Sequence, residues 1–317
     1  MGWQNNALNG ILLLDKPSGF TSMDVCAVVR GMLHTKKVGH SGTLDPMATG
    51  VLPILIGSAT RALDLIPSHD KTYVACFRLG MTTDTLDITG SVLTECKPVV
   101  PESALREALE AFRGEIMQVP PMYSAVSVGG KKLYDLAREG VEVEREARLV
   151  TVYRLTLDSY DPESASGVLT VSCSKGTYIR TLIDDIGKAL GCGAVLTSLR
   201  RTEASGISIE RCMTLAQAQK YKDNGGLEDH LIPVDRIFEP YPALYISGNQ
   251  AVRFCNGATL ALERLQPPVI GGVRQQERLN DEKYPQDSLY RVYSSEDNAF
   301  LGLGVKKTDE LRVCKRF

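Results

Sequence analysis

The sequence predicts an α+β fold in two parts, a mixed-sheet domain over residues 1–238 and a small β-rich module over 239–317. Three observations carry this. In "GVLTVSCSKGTYIRTLIDDIGKALG" a strand from Val168 to Cys173 turns at Gly176 into a helix with Ile179, Leu182, Ile183, Ile186 and Leu190 on one face. In "TYVACFRLG", Tyr73, Ala75, Phe77 and Leu79 alternate with Thr72, Val74, Cys76 and Arg78, the period-two pattern of a half-buried strand. Beyond Phe238, "FEPYPALYIS" brings two prolines and then short strand-like pieces, which predict a small barrel or sandwich. The length, 317 residues, also exceeds one ordinary core at about 150 residues per domain.

The remaining elements follow in order. "GILLLDKPSGFTS" is a strand that delivers Asp15 and Lys16 to a turn, and a helix follows with Val25, Val28, Val29 and Met32 at helical spacing. Ser22 is its expected N-cap, and Gly31 or "HTKK" its end. The strand of the alternating segment is expected to begin at about Tyr73. "PESALREALEAFRG" predicts a helix opened by Pro101, with Leu105, Leu109 and Phe112 on one face and Gly114 as its C-terminal cap. Residues 116–154 mix turns with a short helix and read as an arm. Tyr178 and Arg180 fall in the first turn of the helix after Gly176, at an end of the sheet where sites form. The stretch 266–288 reads as a surface loop, and no internal repeat is present.

Composition narrows the function classes. With 43% hydrophobic and 23% charged residues the chain is neither disordered nor fibrous. The segment "MGWQNNALNG" has no basic, apolar leader pattern, and no apolar run approaches the roughly 20 residues that span a bilayer, so a cytoplasmic protein without membrane contact is expected. Eight scattered cysteines without a C-x-x-C pair, and four histidines, predict no metal site. The net charge of -2 hides basic stretches: residues 171–201 carry five Lys/Arg against two Asp, and residues 302–317 five against two acids. A polyanionic partner needs a basic surface, not a basic total.

The block "GHSGTLDPMATGVLP", residues 39–53, places Asp45 among three glycines and two prolines that fix an irregular backbone. A carboxylate held so can be a metal ligand, a general base, a nucleophile or a loop cap. Acid/base glycoside chemistry needs a second carboxylate, for which Asp84 and Asp87 are weak candidates. The block does not recur as in an aspartic protease, and neither a G-x-S-x-G elbow nor a phosphate loop ending in G-K-S/T is present. A nucleophile or a cap remains.

That block closely resembles the catalytic motif of the bacterial tRNA pseudouridine synthase B family. Matches continue in order through "LLLDKPSGFTS", "KTYVACFRLGMTTDTLDITG", "VPPMYSAVSVGGKKLYDLAREG", "CSKGTYIRTLIDDIG" and "LTSLRRTEASG", covering residues 10 to about 238. "GATLAL" and "FLGLG" give the tail a weaker likeness to a PUA-type RNA-binding module. The resemblance implies a mixed-sheet pseudouridine synthase domain with an arm-like insertion at 116–154 and a PUA-like domain at 239–317. It implies isomerisation of the T-loop uridine (uridine-55) of tRNA after base flipping, with no cofactor, no obligatory protein partner and a monomeric enzyme. Asp45 would be the nucleophile, acting at C1′ or at C6. Arg180 would keep it ionised through a two-pronged contact, Tyr73 would stack on the uracil, and Tyr178 and Leu199 would line the pocket. His40 would sit with the rearranged loop bases. Lys16, either a phosphate contact or a surface charge, and Lys131 and Lys132 of the arm are candidate RNA contacts. Two other readings, a tRNA-folding chaperone and a guide-RNA-dependent synthase, stand beside this one; the absence of a long lysine-rich tail argues against the latter.

Overall fold

The computed structural model describes residues 8–279 and 283–317. Residues up to 214 build a mixed sheet from β1 (Gly10–Lys16), β2 (Thr49–Ile56), β3 (Lys71–Leu79), β4 (Gly114–Gln118), β5 (Arg148–Asp161), β6 (Ser166–Cys173), β7 (Ala194–Ala204) and β8 (Met213–Thr214). Their spatial order is β8-β1-β2-β7-β3-β6-β5-β4, with short pieces at Val38–His40 and Ile207–Ser208 off this path. Pairing is antiparallel except between β1 and β8 and between β2 and β7. The β2–β7 pairing is a short seam, Arg200 opposite Thr49 and Arg201 opposite Gly50, and it joins the two halves of the sheet.

Each half has its own core. In β3 the alternation works as expected, with Tyr73, Ala75, Phe77 and Leu79 buried. They pack with Val171, Leu196 and Leu199 under α2 (Glu102–Glu110) and α3 (Ile179–Ala189), which bury Leu105, Leu109, Leu182, Ile183 and Ile186. Each such aliphatic side chain, fully buried, contributes about 1.5–3 kcal/mol. In the other half Leu12, Leu14, Leu52 and Ile54 meet Val25, Val29 and Met32 of α1 (Ser22–Leu33). The opposite side of β1 and β2, through Ile11, Leu13 and Leu55, packs on Val234, Phe238 and Leu303 and so ties this sheet to the next.

That second sheet has seven short strands between Ala243 and Arg316, with Ala243–Ile246 parallel to Leu289–Ser294. It also carries a helix, Gly248–Cys255, that the strand-like reading of the tail overlooked; Ser247 and Gln250 form its capping box.

Other boundaries differ from expectation for local reasons. The N-cap of α1 is Thr21, not Ser22, because Thr21 and Asp24 bond each other's backbone amides reciprocally. Helix α2 stops at Glu110, and Gly114 opens β4 with a φ of 80° instead of capping the helix. Strand β3 starts at Lys71, two residues before Tyr73. The ends of the expected 116–154 arm are strands β4 and β5 of the main sheet, so the excursion from the sheet is 119–147, with a hairpin at Ser127–Lys132 and a helix at Leu133–Arg138. The expected loop 266–288 contains a hairpin pairing Val269–Ile270 with Val273–Arg274; residues 280–282 lie outside the described residues.

Candidate active site

The loop carrying Asp45 runs into β2 at the seam of the sheet, and three side chains pin it. Ser22 Oγ accepts from the Leu44 amide (2.9 Å) and donates to the Leu44 carbonyl (3.3 Å). Lys16 is fully buried; its Nζ donates to the carbonyls of Pro17 (2.9 Å), Phe20 (2.6 Å) and Pro46 (3.2 Å). It is therefore neither a surface charge nor open to a phosphate, but a tie between the two loops. Arg201, also fully buried, donates from Nε to Val51 O (2.8 Å), from Nη2 to Gly42 O (2.9 Å) and from Nη1 to Thr43 O (3.4 Å).

Asp45 itself does not cap this loop. Among the described residues its carboxylate accepts from Arg180 and from none of the loop's own amides: Arg180 Nε lies 2.9 Å from Oδ2 and Nη2 3.1 Å from Oδ1. The contact is two-pronged, the geometry that fixes a carboxylate's plane as well as its position. Arg180 is 5% exposed while the Asp45 side chain keeps 36% open, so the acid is presented and the cation is hidden.

Arg180 has further partners. It donates to Thr85 O (3.0 Å) and to Tyr123 O (2.8 Å), and its Nη1 lies 3.8 Å from Asp87 Oδ2. Asp87 is buried and accepts at Oδ1 from Thr85 Oγ1 (2.9 Å), the Thr89 amide (3.0 Å) and Thr89 Oγ1 (2.5 Å). The guanidinium thus stands between two carboxylates. The arm contributes directly through Tyr123, and Gln118 at its root brackets Tyr178 by bonding both its carbonyl (3.0 Å) and its amide (2.7 Å).

Electrostatics sets the protonation states. Desolvation pushes the Asp45 carboxyl above the ordinary carboxylate value; Arg180 pulls it back, and Asp87 adds to the rise. Burial lowers Lys16 to about 8, with Asp45 opposing. His40 is lowered by burial and by Arg201, and its buried Nδ1 has no partner among the described residues. Burial raises Tyr73, so its hydroxyl keeps its proton at neutral pH.

Of the sequence-derived candidates, the structure brings Asp45, Arg180, Tyr73 and Leu199 together. Tyr73 and Leu199 are buried in the cluster that also holds Leu44 and Ala48 of the loop. Tyr178 is half-buried at the N-cap of α3, and His40 ends the Val38–His40 piece beside the loop. Lys131 and Lys132 are exposed on the arm hairpin, where Lys131 faces Glu139 at 3.5 Å and Lys132 donates to Ala125 O. Sequence reasoning missed Arg201 and undervalued Asp87. A signal for Arg201 existed, because it sits two residues after inward-facing Leu199 on the same strand. For Asp87 the surrounding "TTDTLDIT" supplies hydroxyls of the kind that hold a buried carboxylate.

The chain is similar to known proteins over most of its length. Residues 30–179 match the family model of the TruB family pseudouridylate synthase N-terminal domain, and 180–239 that of the tRNA pseudouridylate synthase B C-terminal domain. A tRNA pseudouridine synthase B from Clostridium kluyveri is 39% identical over 98% of this chain and 100% of its own length. One from Pseudomonas aeruginosa is 43% identical over 86% of this chain and 89% of its own. Among solved structures, a crystal structure of a Cbf5-Nop10-Gar1 complex superposes with a TM-score of 0.71 at 27% identity, covering 97% of this chain and 84% of that one. A chain of an H/ACA RNP bound to a substrate RNA containing 2′-deoxyuridine, at 24% identity and a TM-score of 0.70, shares the fold over 100% of this chain and 87% of its own.

Proposed function

The chain belongs to the TruB family of pseudouridylate synthases and converts uridine in tRNA to pseudouridine, and on that premise we propose that it acts on the T-loop uridine (uridine-55) with Asp45 as nucleophile. The observation that carries this reading is the two-pronged contact of buried Arg180 on half-open Asp45.

The isomerisation breaks the bond from N1 to ribose C1′ and makes one from C5 to C1′; the proton on C5 leaves and N1 gains one, with no change in oxidation state. The work required of the protein is to expose the base, attack it with an ionised carboxylate and hold the freed base while it turns. Asp45 attacks the nucleoside at C1′ or C6. Arg180 stabilises its anion and fixes its direction. Asp87 keeps Arg180 in place from the other side.

Extruding the uridine costs about a few kcal/mol of stacking, offset by about 1–3 kcal/mol for each base restacked on an aromatic ring. Tyr73 stacks on the flipped uracil, Leu199 and Tyr178 close the pocket around it, and His40, neutral at pH 7, packs against the displaced loop bases. Lys131 and Lys132 bring the 119–147 arm onto the T-arm, and the 239–317 module, read as PUA-like, holds the rest of the tRNA. The enzyme acts as a monomer in the cytoplasm.

Tritium release from C5-labelled uridine in an unmodified tRNA transcript tests this. The purified chain alone is expected to release tritium, its Asp45→Asn variant none, and a transcript with cytidine at the T-loop position none. Release from that altered transcript would overturn the position. Turnover only with added guide RNA would favour the guided reading, and tRNA refolding by an inactive Asp45→Asn protein would favour the chaperone.

A further inference from the structure

Beside the catalytic loop lies a cavity of about 300 Å³ whose lining includes Ser41, Gly42, Asp64, His69, Lys71 and Lys175. It adjoins the Asp45 loop directly, since Gly42 is three residues before Asp45. A Cβ on Gly42 would meet Arg201 Nη1 at 3.3 Å and Lys71 Cε at 3.4 Å, so both cations pack against the loop there.

The charge balance of this cavity is incomplete. Arg201 behind it is fully buried, and its acceptors are backbone carbonyls, which solvate the guanidinium without neutralising its charge. Among the described residues Arg201, Lys71 and Lys175 form no ion pair: Arg201 bonds carbonyls, Lys71 Nζ donates to His69 O (2.5 Å), and Lys175 is exposed on the turn before α3. Asp64 and Asp70 are exposed at the periphery, and Asp70 accepts from Tyr153 Oη at 3.2 Å. The cations depress one another: Lys71 is lowered by burial and then by Arg201, with Asp70 opposing, and His69 by burial, Lys71 and Lys175, with Asp70 and Asp64 opposing more weakly. A neutral imidazole, a serine hydroxyl and two ammonium groups line the space, against the single carboxylate of Asp64 among the described lining residues, so the cations with Arg201 behind them outnumber it.

We propose that this cavity seats one backbone phosphodiester of the RNA strand, at a linkage flanking the flipped uridine, held by Lys71 and Lys175 with Arg201 as the fixed charge behind them. This rests on the RNA-modifying reading of Asp45. It adds how the strand is anchored while its base turns, because a tether on the phosphate leaves the ribose in register with Asp45 after N1 to C1′ cleavage. Lys71 lies on β3, which also carries Tyr73, and Lys175 on the turn that leads into α3, whose second residue is Arg180. Anchor and chemistry therefore share one frame.

The test is a binding cycle on the full chain, using a T-loop stem-loop RNA in which each linkage flanking the target uridine is in turn made an uncharged methylphosphonate. For wild type, one of the two neutral linkages is expected to weaken affinity about tenfold. For Lys175→Met the same change is expected to cost nothing more, and the slope of log affinity against log salt is expected to fall by about 1. Lys175→Arg should restore both. Lys71→Met repeats the cycle on the second cation. Multiplying effects of variant and neutral linkage, insensitivity of wild type at both linkages, or equal behaviour of Lys175→Arg and Lys175→Met would each overturn the subsite. Affinity is read separately from tritium release. A wild type that binds with the expected cycle but releases no tritium would sink the proposed chemistry and keep the phosphate seat, and the converse result would do the reverse.

Discussion

Arg201 stands opposite Gly50 in the seam between β2 and β7, so close that a Cβ on Gly50 would lie 2.1 Å from the Arg201 carbonyl oxygen. Gly50 also adopts a φ of 109°, which disfavours any side chain. The strand that ends the Asp45 loop is thereby laid directly on the residue whose guanidinium holds the loop's other end.

Gly50→Ala is expected to destabilise the protein by about 3 kcal/mol, from overpacking and backbone strain together. Thermal unfolding checks this, and an unchanged midpoint would show that the seam can open without cost.

Arg180→Lys keeps a positive charge but not the planar two-pronged contact, so kcat should fall about 100-fold. Single-turnover tritium release is the readout. Activity within a few-fold of wild type would mean that charge alone suffices.

The Asp45 carboxyl lies above the usual carboxylate range, so it takes up a proton as pH falls through that raised value and the rate falls with it. The acid limb of kcat/KM should therefore sit above 3.8, the ordinary aspartate value. Because Asp87 contributes to the rise, Asp87→Asn should move the limb to lower pH. A limb that stays put in Asp87→Asn, measured over the same pH range, contradicts the assignment.

Lys16 has a native pKa of about 8 against an ordinary 10.5. Between those values the unfolded chain binds more protons than the folded one, so folding becomes more favourable as pH rises. Wild type is expected to gain stability relative to Lys16→Met from pH 8 towards 10.5, by denaturant titration at each pH. A difference independent of pH would show the ammonium to be better solvated than its burial implies.

Phe238 joins the two sheets, with its ring 5.5 Å from that of Phe317 and packed near Ile11 and Leu303. Phe238→Ala should cost about 3–5 kcal/mol. Protease cleavage near the linker, faster in the variant, would report the same loss locally.

Much of this was legible in the residues. The alternation of β3 and the amphipathic face of α3 are one-dimensional patterns, and burial follows them. Asp45 and Arg180 could be paired from the motif they resemble, though 135 positions separate them. What was not legible depends on partners distant in sequence and chemically plain. Lys16 reads as a phosphate contact or a surface charge because its acceptors are backbone carbonyls, one of them 30 residues away, and carbonyls leave no mark in a sequence. Ser22 reads as a cap because serines often cap helices, whereas here Thr21 caps and the Ser22 hydroxyl is spent on Leu44. Asp87 reads as one acid among threonines until the fold carries it to Arg180.

The carbonyl of Tyr123 that receives Arg180 has a consequence for how this enzyme can fail. A segment that only bound substrate would tolerate wear, since a looser grip only slows capture. Here a carbonyl of the 119–147 excursion is also an acceptor of the arginine that holds Asp45, so on the function proposed above damage to that segment is expected to present as a lesion of chemistry, visible at saturating RNA and beyond remedy by adding more.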